Sequence, residues 1–289
     1  MAVTDVGVGA GGLGKVVAGA ILQFNKSAVA PPLINMVACP PGTNVAQVPV
    51  YSKQAITDVT NSNSGAEETS GSAISVTSTA TSLEVLRNNV YAEVTDLVTH
   101  GNSDAFLVNA GSVLGNAVSA EFDNHTCLLL DTFSATVGGS TTHNSLSLLF
   151  NAVATLEGAD APRPYSSIYH PLQVFGSHGI TEDLGSNGGQ LSSGPVANAL
   201  QGPGFATTIG GVDIYTSPQV VATSDQHKGG VFAKTAISCG YIDQGGGSFI
   251  QVETDRNAPN ASTYVVANGY WEIAVTVNGH GVEVHTETA

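Results

Sequence analysis

The longest regular pattern of apolar and polar positions runs from Asn102 to Asp131. Phe106, Ala110, Val113, Ala117 and Ala120 recur at spacings of four and three, and Leu107, Leu114, Val118 and Phe122 widen the stripe. That is the period of an α-helix with one buried face. Asn102, Ser103 and Asp104 supply side-chain oxygens for the free N–H groups of a first turn. The run continues through Cys127, Leu128, Leu129 and Leu130. At 1.5 Å per residue such a helix is roughly 40 Å long. Gly111 and Gly115 inside it each cost about 1 kcal/mol against Ala. They admit another backbone at close range, or a bend.

Segments on both sides carry the strand period instead. Val45-Ala-Gln-Val48-Pro-Val50-Tyr51 and Ile74-Ser-Val76-Thr-Ser-Thr79 read as strands. Between them, 60–72 holds no large apolar residue and cannot bury itself. Two strands with a polar tip make a long projecting hairpin. A two-stranded hairpin is marginal in water alone, so this one is expected to rest on another subunit, with a disordered surface loop as the alternative that its composition also fits. Residues 84–101 return the chain to the long helix. Beyond it, Val137-Gly-Gly-Ser140 reads as a break. A second helix is expected over 142–156, with Leu146, Leu149, Phe150, Val153 and Leu156 on one face and Gly158 as its stop. A short strand follows over 165–170, closed by Pro171, and a brief helix over 196–200. Gly210-Gly211 turns a hairpin over 207–215. Strands are expected over 231–237, 270–277 and 281–285, with a turn at 245–247. The first forty residues differ from all of this: five Gly crowd 7–14, and Pro31, Pro32, Pro40 and Pro41 close the stretch. They read as an extended arm. The whole is an α+β chain without a fixed-period repeat.

Composition narrows the function classes. At 289 residues the chain forms one large domain or two small ones. Its 8 basic against 23 acidic residues give a net charge of −15, with no cluster of Lys and Arg. A nucleic-acid grip needs a basic footprint, so sequence-specific binding of nucleic acid is not expected, nor is binding to an anionic membrane. Cys39, Cys127 and Cys239 stand far apart, an odd count without a CxxC pair. No apolar run reaches the ~18 residues of a membrane span.

The chemistry-like patterns fail on inspection. Gly9-Ala-Gly-Gly-Leu-Gly14-Lys15 begins like a phosphate-binding loop, but Val16 stands where Ser or Thr must meet Mg²⁺. Gly7 to Gly12 resembles a dinucleotide fingerprint without a good preceding strand. The apolar run 16–24 has the look of a secretion signal, yet Asp5 offsets Lys15 ahead of it and Pro31 would follow the cut. Asn124-His-Thr126 and Asn260-Ala-Ser262 match glycosylation triplets, which mean little without a convincing signal. Near the end, Glu283 and His285 share one face of a strand and Val282 and Val284 the other. A metal role with His280 is weighed against the plainer one, the wet side of a half-buried strand. His170, before Pro171, reads as a packed or capping residue rather than a base, and Cys127 as a small buried hydrophobe. No GxSxG elbow and no HExxH is present. No catalytic, cofactor-binding or metal residue is assigned, no cofactor is expected, and the chain is read as not an enzyme.

The order of elements then carries a resemblance. A Gly/Pro arm, a long hairpin, a long helix, a mixed α/β region and a return to strands together resemble the major capsid protein of tailed bacteriophages, the tailed-phage and herpesvirus capsid fold. Leu114-Gly-Asn-Ala-Val-Ser-Ala-Glu-Phe-Asp123 through Leu128-Leu-Leu-Asp131 is similar to that family's spine helix. Tyr169-His-Pro-Leu-Gln173 resembles its strand-Pro-Leu turn opening an axial-domain helix. Ile209-Gly-Gly-Val-Asp-Ile-Tyr-Thr-Ser217 resembles its Gly-Val strand, and Gly230-Val-Phe-Ala-Lys-Thr-Ala-Ile237 its strand back to the peripheral domain. The resemblance implies an N-terminal arm over 1–40 and an extended loop over 41–93. It implies a peripheral domain over 94–137 and 235–289, and an axial domain over 138–234. It implies pentamers and hexamers of an icosahedral shell around double-stranded DNA, with scaffolding, portal and cement or decoration proteins as partners. The chain would then lie in the virion, after assembly in the host cytoplasm. Some members cross-link through a loop-tip lysine; the tip 61–72 has none and Lys53 lies on the rising arm, so that chemistry is not carried over. A secreted or surface-layer acidic β-rich protein is the alternative that low Lys/Arg and high Ser, Thr and Gly also fit.

Overall fold

A computed structural model of the chain describes residues 20, 23–24, 27–51, 78–95, 104–181, 204–223, 226–244 and 249–287. The tip 60–72, the expected helix over 196–200, the Gly-rich start and the 245–247 turn lie outside the described residues. Two sheets organise the rest, each backed by a helix.

The first sheet has five strands: β1 (Asn35–Ala38), β4 (Leu86–Thr95), β11 (Ile237–Tyr241), β12 (Ile250–Asn257) and β13 (Ser262–Val275). The long β13 is its axis. It pairs antiparallel with β12 along Ser262–Gly269, with β11 along Trp271–Val275 and with β4 along Ser262–Trp271. β1 joins β11 in parallel. The helix α1 (Asp104–Leu130) lies across β13 and β4. The reason is one aromatic group. Phe122 sits 5.4 Å from Phe249 and 5.5 Å from Trp271, centroid to centroid, and Phe24 meets Phe122 edge-on at 6.1 Å. Aromatic pairs in such tilted and edge-on poses add to the area they bury.

The second sheet has seven strands: β5 (Ala135–His143), β6 (Tyr165–Tyr169), β7 (Phe205–Ile209), β8 (Val212–Thr216), β9 (Val221–Thr223), β10 (Gln226–Ala233) and β14 (Gly281–Glu287). Their order is β5-β14-β10-β6-β8-β7, with β9 paired to β10. The helix α2 (Leu146–Gly158) covers β14, β5 and β10 with Leu149, Ala152, Val153 and Leu156. Ser145 caps it, its side chain accepting from the Leu148 N–H. The five-residue α3 (Pro171–Phe175) closes one side.

Several expectations shift. The buried line of α1 is Leu114, Val118 and Phe122, while Val113 is 66% exposed and Ala117 also faces outward. The stripe was expected one position off because small Ala residues lie on both sides of it. In α2, Phe150 is 48% exposed, over the Gly210 turn rather than in the core. The 84–101 stretch contains a ten-residue strand, β4, whose Val90-Ala92-Val94 alternation is the missed signal. Val137-Gly-Gly-Ser140 is not a break: β5 runs through it, bending at Gly138 (φ 86°) against the His285 carbonyl. The expected strand 231–237 divides at a turn into β10 and β11. The close of the arm is no free extension: Phe24, Ala28, Val29, Ala30, Leu33 and Ile34 are buried in the first sheet's core. The hairpin around Gly210 (φ 60°) and Gly211 (φ 81°) forms as expected, both glycines supplying the positive φ of the turn.

Replacing Phe122 by Ala is expected to cost about 3–5 kcal/mol, the range for deleting a buried aromatic ring. Urea unfolding followed by Trp271 fluorescence measures it.

Candidate assembly surfaces

The remaining two strands form a sheet of their own. In β2 (Val45–Tyr51) and β3 (Ser78–Glu84), Val45 faces Glu84 and Tyr51 faces Ser78 across an antiparallel ladder. Only the root is buried. Ala46, Val48 and Leu83 pack with Val37, Cys39 and Ala274 against the first sheet. The close approach rests on Gly240 of β11: a Cβ there would stand 2.8 Å from Ala46 Cβ and 3.1 Å from Leu83 Cβ. Among the described residues, Pro49 to Tyr51 and Ser78 to Ala80 lie largely exposed beyond this root, and Tyr51 is 66% exposed.

Apolar side chains also face outward elsewhere. Tyr91 stands on the open face of β4, edge-on to Tyr264 at 6.2 Å, and Leu86 is exposed at the start of the strand. Leu172 and Phe175 project from α3. Singly, exposed apolar residues are ordinary. Here they lie on a long edge strand, on α3 and on the described end of the hairpin.

The leader is held from below. Backbone N–H groups of Val29 and Ala30 donate to the Asp123 carboxylate, at 3.0 and 2.9 Å to its nearer oxygens. Burial pushes this carboxyl group up to about 6, against the two N–H groups that favour its ionised form.

The histidines gather around α3. His170 caps it: its Nδ1 accepts from the Leu172 N–H at 3.2 Å while its own N–H donates to Gln173 Oε1 at 2.9 Å. Its ring stacks on His227 at 3.9 Å, and His143 stacks on His178 at 3.6 Å. Buried Gln173 ties the site together, donating to the His227 carbonyl and to Thr286 Oγ1. Burial, then the neighbouring His227, lowers His170 to about 4, and burial also lowers His227.

The other candidates do not converge. His280 meets Thr235, His285 meets Gln226, and Glu283 is buried rather than wet, accepting from Thr136 Oγ1 and facing Lys228, which also binds Asp131. Cys127 is fully buried and its thiol is pushed up to about 12. No group of three or more His, Cys, Asp or Glu within metal-binding reach occurs among the described residues. The Gly-rich patterns at the start lie outside them.

Compared by sequence, the chain matches no family profile and no curated protein. Compared by structure, it matches the capsid of Ralstonia phage GP4 with a TM-score of 0.69 at 12% identity, over 92% of this chain and 90% of that one. The chain has the capsid fold of tailed bacteriophages. A chain of Mycobacterium phage Che8 shares it, with a TM-score of 0.61 at 16% identity over 90% of this chain and 91% of that one. So does a chain of the holo-SrpI encapsulin complex from Synechococcus elongatus PCC 7942, with a TM-score of 0.62 at 11% identity over 89% and 86%. The capsid fold therefore spans nearly the whole chain, both sheets included.

Gly240→Val should lever the hairpin root off β11, since the added methyls have no room; overpacking of this kind costs about 1–3 kcal/mol. Hydrogen exchange is expected to quicken in β2 and β3 and stay unchanged in α2. A second expectation concerns acid. His170 and His227 are held neutral in the fold, so their contribution is complete above the ordinary value of 6.5 and is lost as pH falls towards about 4 for His170. His170→Ser, which keeps the cap and removes that titration, should lose less stability than the parent between pH 7 and pH 4.5 in urea unfolding.

Proposed function

We propose that this chain is the subunit of an icosahedral shell, assembling into pentamers and hexamers that enclose double-stranded DNA. The observation that carries the reading is the capsid fold across about nine-tenths of the chain, joined to a hairpin whose described residues are buried only at the root, on its own sheet. In this reading 1–40 is the N-terminal arm and 41–93 the extended loop lying over a neighbour, with α1 as spine helix. Residues 94–137 with 235–289 make the peripheral domain and 138–234 the axial domain. β14 ties the two, since the tail strand enters the seven-stranded sheet. The subunit has a structural rather than catalytic role, belongs to the virion and is assembled in the host cytoplasm. Scaffolding, portal and cement proteins are its partners there, and no loop-tip lysine is available for a covalent link.

The encapsulin likeness leaves the fold neutral about what is enclosed; the acidity favours DNA. A wall with a net charge of −15 per subunit repels phosphate over a Debye length of ~8 Å at physiological salt. Packed DNA would then not adhere to it. The fold favours a shell over the secreted or surface-layer reading.

Purified protein is expected to form rings or closed shells in negative-stain images at some salt and pH. Replacing 52–77 by an Asn-Gly turn, which joins Tyr51 to Ser78 directly, should leave a folded subunit that no longer closes shells. Shells that form unchanged without the tip would remove the hairpin from assembly, and a chain monomeric under all conditions would remove the reading itself.

A further inference from the structure

The leader and the long helix meet along one line of small and polar residues. Gly115, Ser119 and Asp123 follow each other at four-residue spacing, so they share one face of α1. The leader runs along them in step. The Ala20 carbonyl presses where a Cβ on Gly115 would stand. Gln23 Nε2 donates to Asn116 Oδ1 at 2.8 Å, and Ser27 Oγ lies 2.7 Å from Ser119 Oγ. The line ends at Asp123, whose Oδ1 takes the N–H of Ala30 at 2.9 Å and shares that of Val29 with Oδ2 at 3.1 and 3.0 Å.

Asp123 is 4% exposed and has no cation beside it among the described residues. The described leader residues facing it, from Ser27 to Ile34, are neutral, and so is Ser217, which hydrogen-bonds Cys127 on the other side. Cys127, one turn along α1, is the titratable side chain that feels its charge. A buried, unpaired carboxylate is costly to ionise, and two N–H groups offset only part of that cost. Protonation on Oδ2 removes the charge and leaves Oδ1 to accept both N–H groups. Lifting the leader would instead return the carboxylate to water.

We propose that residues 27–34 form a strap on α1 whose hold is set by the ionisation of Asp123: tight when the carboxyl group is protonated, loosened when it is ionised. This is a property of the single subunit and does not rest on shell formation. The sign follows from the raised value. Burial, to which the strap contributes, raises the carboxyl group from 3.8 to about 6. Closure therefore binds a proton, and its contribution is complete below the lower value and lost as pH rises through the upper one. With opening returning the carboxyl group fully to water, those two values make the open population about tenfold larger at pH 8 than at pH 5.

Hydrogen exchange of a peptide spanning 27–34 tests this on unassembled subunits, corrected for the intrinsic pH dependence of exchange and referred to a peptide spanning α2. The parent protein should open about tenfold more at pH 8 than at pH 5. Asp123→Asn keeps the Oδ1 acceptor without the charge, so it should hold the strap at the pH 5 level at both pH values. Asp123→Ala should open it at both, by stranding two buried N–H groups. If Asp123→Ala does not fold, the parent and Asp123→Asn still decide the matter. A parent that opens equally at pH 5 and pH 8, or an Asn variant that keeps the parent's pH dependence, overturns the proposal.

Discussion

The contact between Phe122 and the ring pair Phe249 and Trp271 holds the rest of the molecule in place. It seats the middle of a 27-residue helix on the longest strand of the first sheet. Phe24 adds the leader to the same group, 5.3 Å from Phe249. Three parts of the chain far apart in sequence thus share one core, and each is buried by the other two. Gly269 lets the Trp271 ring lie flat on its own strand, since a Cβ there would fall within the ring. Glycine inside a strand normally weakens it; here it makes room for the largest side chain of the core.

From this anchor the molecule extends outward with diminishing support. The second sheet has its own core around Leu149, Leu156, Tyr165 and Val282. It joins the first through β10, whose Phe232 belongs to one core and Val231 to the other. The hairpin has only three buried apolar residues at its root. A two-stranded ribbon with so small a buried base is marginal by itself in water. The same physical shortage that makes it weak alone makes it available to a neighbour. Acidity limits what else that surface meets, because a strongly negative exterior disfavours phosphate-rich partners.

Much of this was legible in the sequence, for identifiable reasons. The long helix, the second helix with its Gly158 stop, the Gly210-Gly211 hairpin and the β2 strand each show a clear period or turn signal, although the second helix begins at Leu146, its expected first residues 142–143 belonging to β5. The capping role of His170 was readable from the following Pro171 and from Gln173 three residues on. What was not readable depended on tertiary partners. β4 carries Asn88 and Asn89 in mid-strand, tolerated because it lies at the sheet edge, where the Asn88 side chain donates to the Trp271 carbonyl. β5 passes through two glycines where it bulges against its parallel partner β14, advancing from Gly138 to His143 while β14 advances from His285 to Glu287. The leader looked extended because Gly and Pro dominate its composition; its burial depends on Phe24, Leu33 and Ile34 meeting a surface formed a hundred residues later. Asp123 gave no signal, since a single carboxylate on a helix normally reads as solvated.

The central claim is that the subunit is incomplete alone and that its ribbon finds cover on a sister copy. A photo-cross-linking residue at Tyr51, in particles assembled from an equal mixture of isotopically heavy and light chains, tests this most directly. The account predicts cross-linked peptides joining heavy to light chains, with the Tyr51 peptide on one side. Cross-links confined to peptides of the same isotopic label, and so to the same chain, would contradict it.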